Sequence, residues 1–558
     1  MLCDEPRRVT MISKVPIQPK SLVDGISALE TRFRRAMGDS RRLDRVRGFG
    51  GPNNPYDDFA PPLGRLFQRT RQASDEGKME LARDAYAALF AVLALKDDYG
   101  FSITRPDGLV IRDEQARYLR ALGQTAEPGA RSVLLIQTKR RLTQSLWEGC
   151  DTSIQTVLEI APLTVGERDE WLDDLIGRLG QDREPDADRW LREAVRLRSG
   201  GNGLRDLARR ESPWRPRAWL DWLETFTERE SPNRMIEAAE EALAQIPEGL
   251  ELRATAADHL ARAATILGDR NRLIVARWEA FRAEPFPDRL LDLWLAAANP
   301  KDQRAWMRRV ATAACDSAGG LIPGPLVDGF GSSHEVLLKE DGDYFTSGPS
   351  DEIVACARLL AGDWRGAFRM ACGETFPDWV GNRTIPMLVL PVMMAWLMQW
   401  PKKELPSNIA ELLNAAVGLF AVPGEVHSRP DLRLKLALSE SIPRWKRAPA
   451  AISAKVVDRC LRLVRKGIAA ALKNPDLDRN GRVALLAAAA AETLRERRSE
   501  ADAVEFLDEL ARTHGRRSEF VDALRLRWHL KAPSPAHATW PNARKDDDKE
   551  SSPASRVE

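Results

Sequence analysis

Across residues 214–300 apolar side chains recur at intervals of three and four, broken at short distances by proline or glycine. That pattern leaves few folds open. Trp219, Leu220, Trp222, Leu223 and Phe226 make one stripe, answered by Ile236, Ala239, Leu243 and Ile246 before Pro247. Leu252, Ala256, Leu260, Ala264 and Leu267 precede a Gly268–Asp269 turn, then Leu273, Val275, Trp278 and Phe281 follow. A third set, Leu290, Leu291, Leu293 and Leu295, begins after Pro287. Spacing of this kind buries one face of a helix. Hairpins this short cannot enclose a core alone and gain one by stacking. The expectation is an all-α chain of stacked antiparallel helix pairs, a TPR-like α-solenoid.

The rest of the chain extends the pattern and shows where it lapses. Residues 1–61 read as a basic, partly flexible arm: a short helix over 26–37, then an arginine run and Gly48–Phe49–Gly50–Gly51–Pro52. The array's first half covers 62–318 and its second half 351–531. Between them, residues 319–350 are rich in Gly, Pro, Ser and Asp and read as an irregular insertion. Residues 532–558 lack apolar periodicity and read as a disordered tail. Gly200–Gly201–Asn202–Gly203 follows no strand, so it reads as a loop and not as a phosphate-binding turn.

Charge selects no partner class on its own, because 84 basic residues face 82 acidic ones. The six cysteines include no C-x-x-C pair and read as reduced thiols of a cytoplasmic protein. No apolar stretch opens the chain as a secretory signal would. The most apolar run, 385–400, is shorter than the roughly 20 residues a membrane span needs and contains Pro386 and Pro391.

Motifs that would carry chemistry stop short of their requirements. His334–Glu335 begins like a zinc-protease helix, but Leu338 holds the place of the second imidazole. Asp476, Asp478, Asn480 and Gly481 copy the opening of a calcium loop, whose twelfth position needs a bidentate carboxylate and here is Ala487. A polar turn capping the next helix is the simpler reading. Neither a nucleophile elbow nor a Walker loop occurs. The sequence therefore predicts no catalytic residues, no metal and no cofactor. An enzyme whose site is assembled from distant residues is the alternative.

Several segments together resemble the long helical region of bacterial SWIM zinc-finger family proteins. They are residues 253–270, 280–295, 359–372 with its Gly362–Asp363–Trp364 junction, the proline-containing run 385–397, and 482–511. The similarity extends over roughly 81–528. The family's finger uses a C-x-C pair followed by C-x-H, and neither occurs here. The resemblance thus implies the scaffold without its finger, joined by one from a separately encoded chain.

What remains is an interaction surface. Tryptophan and arginine, enriched at binding hot spots, are dense over 214–306. Trp214, Arg215, Arg217, Trp222, Arg272, Trp278 and Arg282 are the candidate partner-binding residues, the arginines projecting outside the apolar stripe beside the rings. A scaffold or adaptor for a protein partner, with no membrane role, is the expected function. The alternative is a nucleic-acid accessory protein using Arg32, Arg34, Arg35, Arg41, Arg42 and Arg45 on phosphates.

Overall fold

The computed structural model describes residues 19–38, 54–146, 152–161, 163–182, 184–212, 215–226, 231–317, 348–373, 384–419, 429–445, 450–473 and 480–531. Among them there are helices, turns and no β-strand, and the helices pack in adjacent pairs as an all-α, solenoid-like fold. No helix among the described residues is long and apolar enough to cross a membrane. The 319–350 insertion over 319–347, and the 532–558 tail, lie outside the described residues. So do His334 and most of the calcium-loop mimic. The chain divides into two compact units, with a boundary at Ala263/Ala264.

The first unit opens with α1 (Pro19–Met37). Leu22, Ile26, Leu29 and Phe33 recur at i, i+4, i+7 and i+11 and are buried against α2 (Ala60–Asp75) and α3 (Met79–Leu93). The arm expected over 1–61 is therefore, over this stretch, a core helix. The helix expected over 26–37 starts earlier, at Pro19, and Arg32, Arg34 and Arg35 lie on its exposed side. Pairing continues through α4 (Ile111–Thr125), α5 (Pro128–Leu146), α6 (Ile154–Glu159) and α7 (Val165–Leu179). Contacts also skip one element, α2 to α4 and α5 to α7, as stacked hairpins require.

α8 (Pro185–Glu211) corrects the loop expected at Gly200. The helix breaks only at Gly200, whose φ of 59° is open to glycine without strain, and resumes at once. α9 (Arg217–Leu223) and α10 (Pro232–Gln245) then pair as the periodicity predicts, burying Trp219, Trp222, Leu223, Ile236, Ala239 and Leu243. α11 (Arg253–Leu267) carries the unit boundary.

In the second unit, α12 (Arg270–Ala283), α13 (Pro287–Ala296), α14 (Pro300–Ser317), α15 (Asp351–Ala361), α16 (Trp364–Gly373), α17 (Ile385–Leu397) and α18 (Ser407–Gly418) pack in chain order. Leu267, Val275 and Leu295, expected in the core, are instead 44%, 49% and 56% exposed. α19 (Pro430–Ser441) went unread in the sequence because Leu432, Leu434, Leu436 and Leu438 alternate as in a strand. As a helix it buries Leu434 and Leu438 and exposes Leu432 and Leu436. Its Arg433 reaches back to Asp288 and Asp292 of α13, with the Asp288 distance 3.5 Å.

The remaining helices are α20 (Ala450–Ala471), α21 (Asn480–Arg497), α22 (Glu500–Thr513) and α23 (Ser518–Lys531). α21 is buried without interruption from Val483 to Leu494. A helix apolar on all sides belongs inside a bundle, and its alanines let α17, α18, α20, α22 and α23 all approach it. Glu492 on α21 accepts hydrogen bonds from the backbone N–H groups of Asn408 (3.3 Å) and Ile409 (3.1 Å) and from the Asn408 amide (2.8 Å). This carboxylate satisfies the first N–H groups of α18, whose own N-cap, Pro406, offers no side-chain acceptor.

Candidate functional site

α12 sets out its side chains with a period that separates core from surface. Ala276, Trp278, Ala280, Phe281 and Ala283 are buried. Arg272, Val275, Glu279 and Arg282, at i, i+3, i+7 and i+10, form another stripe, along which the two arginines and the valine are exposed. Ten residues of helix separate the arginines by about 15 Å. Arg272 is paired with Asp269 at 3.0 Å, the residue that also caps the helix, and Arg282 lies 3.7 Å from Glu279. These are solvent-screened pairs that a better-placed partner carboxylate can replace at small cost.

α14 lies alongside. Trp306 packs 5.6 Å from Trp278, ring centre to ring centre. The Arg309 guanidinium stands 4.4 Å from the Trp278 ring centre and 5.0 Å from that of Trp306. Cation–π contact holds the guanidinium in place without neutralising it. Arg309 is exposed and has no carboxylate partner among the described residues. α12 carries Arg270, Arg272, Arg277 and Arg282 against Glu279, and its Arg277 pairs with Asp292 of α13 at 3.1 Å. On α14, Lys301, Arg304, Arg308 and Arg309 accompany Asp302. Phe286, just past α12, is 54% exposed. Arg309 is not among the sequence candidates; three positions after Trp306 in the chain, it is brought against Trp278 only by the side-chain contact of α12 with α14.

The other predicted residues are elsewhere. Trp214 lies outside the described residues. Trp222 is buried, 5.8 Å from Trp219, and Arg217 is half-buried. These belong to the first unit, whereas Arg272, Trp278 and Arg282 belong to the second. Arg215 overturns its assignment as a projecting residue, since it is only 2% exposed. It pairs with Asp188 at 2.8 Å and donates to the carbonyl oxygens of Asp182 (2.8 Å) and Leu179 (3.4 Å). Asp188 also binds Arg192 at 2.9 Å, and Arg192 reaches Asp221 at 2.6 Å. Burial works against the charge on Arg192, but Asp188 and Asp221 outweigh it and hold its pKa above the ordinary guanidinium value. Such a closed network positions helices and leaves no charge for a ligand.

A second interior cluster is likewise saturated. Glu114, fully buried, accepts from the Tyr86 hydroxyl at 2.7 Å and from Arg71 Nε at 3.0 Å. Burial, with Glu114 beside it, raises the Tyr86 pKa. Among the described residues no group of three or more His, Cys, Asp or Glu side chains could hold a metal ion. On α1, Arg32, Arg34 and Arg35 are exposed; Arg34 pairs with Glu30 at 2.8 Å and Arg32 lies over Phe59. Arg41, Arg42 and Arg45 lie outside the described residues.

No protein-family model matches the chain, and no curated protein matches it either.

Proposed function

We propose that this chain is a non-enzymatic helical scaffold that captures an acidic, amphipathic segment of a partner protein on α12 and α14. The observation that carries this reading is the exposed Arg272–Val275–Arg282 stripe beside the unneutralised Arg309 between Trp278 and Trp306. Alternating apolar and cationic surface suits a helix or extended segment with acidic groups flanking an apolar anchor. A scaffold role is also what the resemblance to SWIM-family helical regions implies, with any finger supplied by another chain.

Selection from a displayed random-peptide library tests it. The wild-type chain enriches peptides that combine Asp or Glu with Leu or Phe. Their affinity falls at least about tenfold in the R272E/R282E/R309E variant and declines with salt. Enrichment without acidic residues, or unchanged binding by the variant, refutes the proposal. The nucleic-acid alternative predicts salt-sensitive binding of oligonucleotides that is lost in an R32E/R34E/R35E variant, since these exposed arginines can be reversed without removing the buried face of α1.

A further inference from the structure

Where α17 ends, the chain turns over Met398–Pro406 before α18, and this turn meets the end of α21 and the 3₁₀ turn Ile442–Arg444. Two adjoining lobes open there, of about 360 Å³ and about 160 Å³. Leu397, Gln399 and Arg497 line both, the last two exposed to solvent where the lobes join. The larger lobe has a volume at the lower end of ordinary small-molecule sites.

Three observations make this a site and not a surface crease. First, Arg497 has no ion-pair partner among the described residues. Local desolvation, with only its neighbour Glu496 acting against it, holds its pKa below the usual guanidinium value. An anion seated beside it would relieve that. Neighbouring Arg495, by contrast, is engaged by the Trp528 ring at 5.4 Å and by Glu500. Second, the smaller lobe is walled by Trp396, Trp400 and Trp445. Trp396 packs 5.1 Å from Trp364 and 6.0 Å from Trp445, and the Trp445 indole N–H donates to Ser441 Oγ at 3.1 Å. The rings are thus fixed before any ligand arrives, which lowers the entropic cost of binding. Third, Gln399 adopts a left-handed backbone (φ 65°), a conformation that costs a non-glycine residue energy and recurs at ligand sites.

We propose that this cleft binds a small molecule in which a planar aromatic ring carries a carboxylate or phosphate. The ring enters the tryptophan-walled lobe and the anionic group meets Arg497 where the lobes join, with Lys403 offsetting Glu404 and Glu496 in the larger lobe. Ring stacking and a charge-assisted fork are chemistries these residues supply and the α12–α14 surface does not combine in an enclosed space. The site is separate from the proposed peptide surface and stands without it.

Isothermal titration of the full chain tests this with four probes. Adenosine 5′-monophosphate and indole-3-acetate each join a ring to an anion, one as phosphate and one as carboxylate. Adenosine and inorganic phosphate each supply half. At least one ring–anion probe is expected to bind below about 1 mM, and both half-probes at least about tenfold more weakly. R497A should weaken the binding probe about tenfold to a hundredfold, and R497K should restore part of it. R272E should leave it unchanged. Which ring–anion probe binds decides between phosphate and carboxylate. The proposal fails if neither binds, if a half-probe binds as tightly, or if R497A with unaltered circular dichroism binds like wild type.

Discussion

Replacing Arg215 with alanine separates an interior arginine from a surface one with a single measurement. The change removes the 2.8 Å pair with Asp188 and the donors to two backbone carbonyls. Removing one partner from a buried ion pair costs about 3–5 kcal/mol because the remaining charge is left without compensation. Asp188 keeps Arg192 at 2.9 Å, so the lower figure applies, about 3 kcal/mol. Arg272→Ala, which breaks an exposed pair, should stay within about 0.5 kcal/mol. Urea unfolding followed by tryptophan emission reads the difference, since Trp190, Trp219 and Trp222 lie in the same unit as Arg215. With an m-value of about 1–3 kcal/mol per molar, a loss of about 3 kcal/mol lowers that transition by at least about 1 M. If R215A moves the midpoint no further than R272A, the interior network has been misjudged.

Three further outcomes follow from the packing. Gly123 on α4 faces the ring of Trp171, and a methyl group there would overlap it, so Gly123→Ala should cost about 1–3 kcal/mol by thermal or urea unfolding. Leu291 is 2% exposed, and Leu291→Ala should cost about 2–5 kcal/mol, read as early loss of helicity and faster proteolysis of the second unit. Burial raises the Glu492 pKa against the hydrogen bonds it accepts. The folded chain therefore binds this proton more readily than the unfolded one, and the group's contribution to stability falls as pH rises from the ordinary carboxylate range through the raised value. Unfolding midpoints of wild type and Glu492→Gln, compared at several pH values, should show that slope in the wild type and its loss in the variant; parallel curves refute it.

Period and punctuation in the sequence were enough for the all-α class and for most helix positions. Apolar period marks helix starts poorly: in α7, Val165–Glu170 precede the first buried residue, and it is the Thr164–Glu167 capping box that marks the start. α19 is hidden by a period of two, and α1 shows in the sequence only over 26–37 although it begins at Pro19. Both are cases where a helix borrows part of its stability from neighbours distant in the chain, which local pattern does not show. The candidate surface was half legible. Arg272, Trp278 and Arg282 share one helix and could be read together, but Arg309 joins them only through tertiary pairing. Arg215 misled because an arginine next to a tryptophan in sequence looks alike whether it faces water or an aspartate 27 positions upstream.

The carboxylate of Glu492, capping a helix 84 positions earlier in the chain, bears on how such a molecule can change length. An open stack can gain or lose a hairpin at either end and keep the rest intact. In the second unit that freedom is gone, because α18 begins on an acceptor carried by α21, and α21 is packed on every side. Shortening the chain before α21 would strip α18 of its first hydrogen-bond acceptor and expose the core of the helices before it. The segment from α17 to α23 is thus kept or lost as a block, and tolerated insertions should fall in the connections outside it.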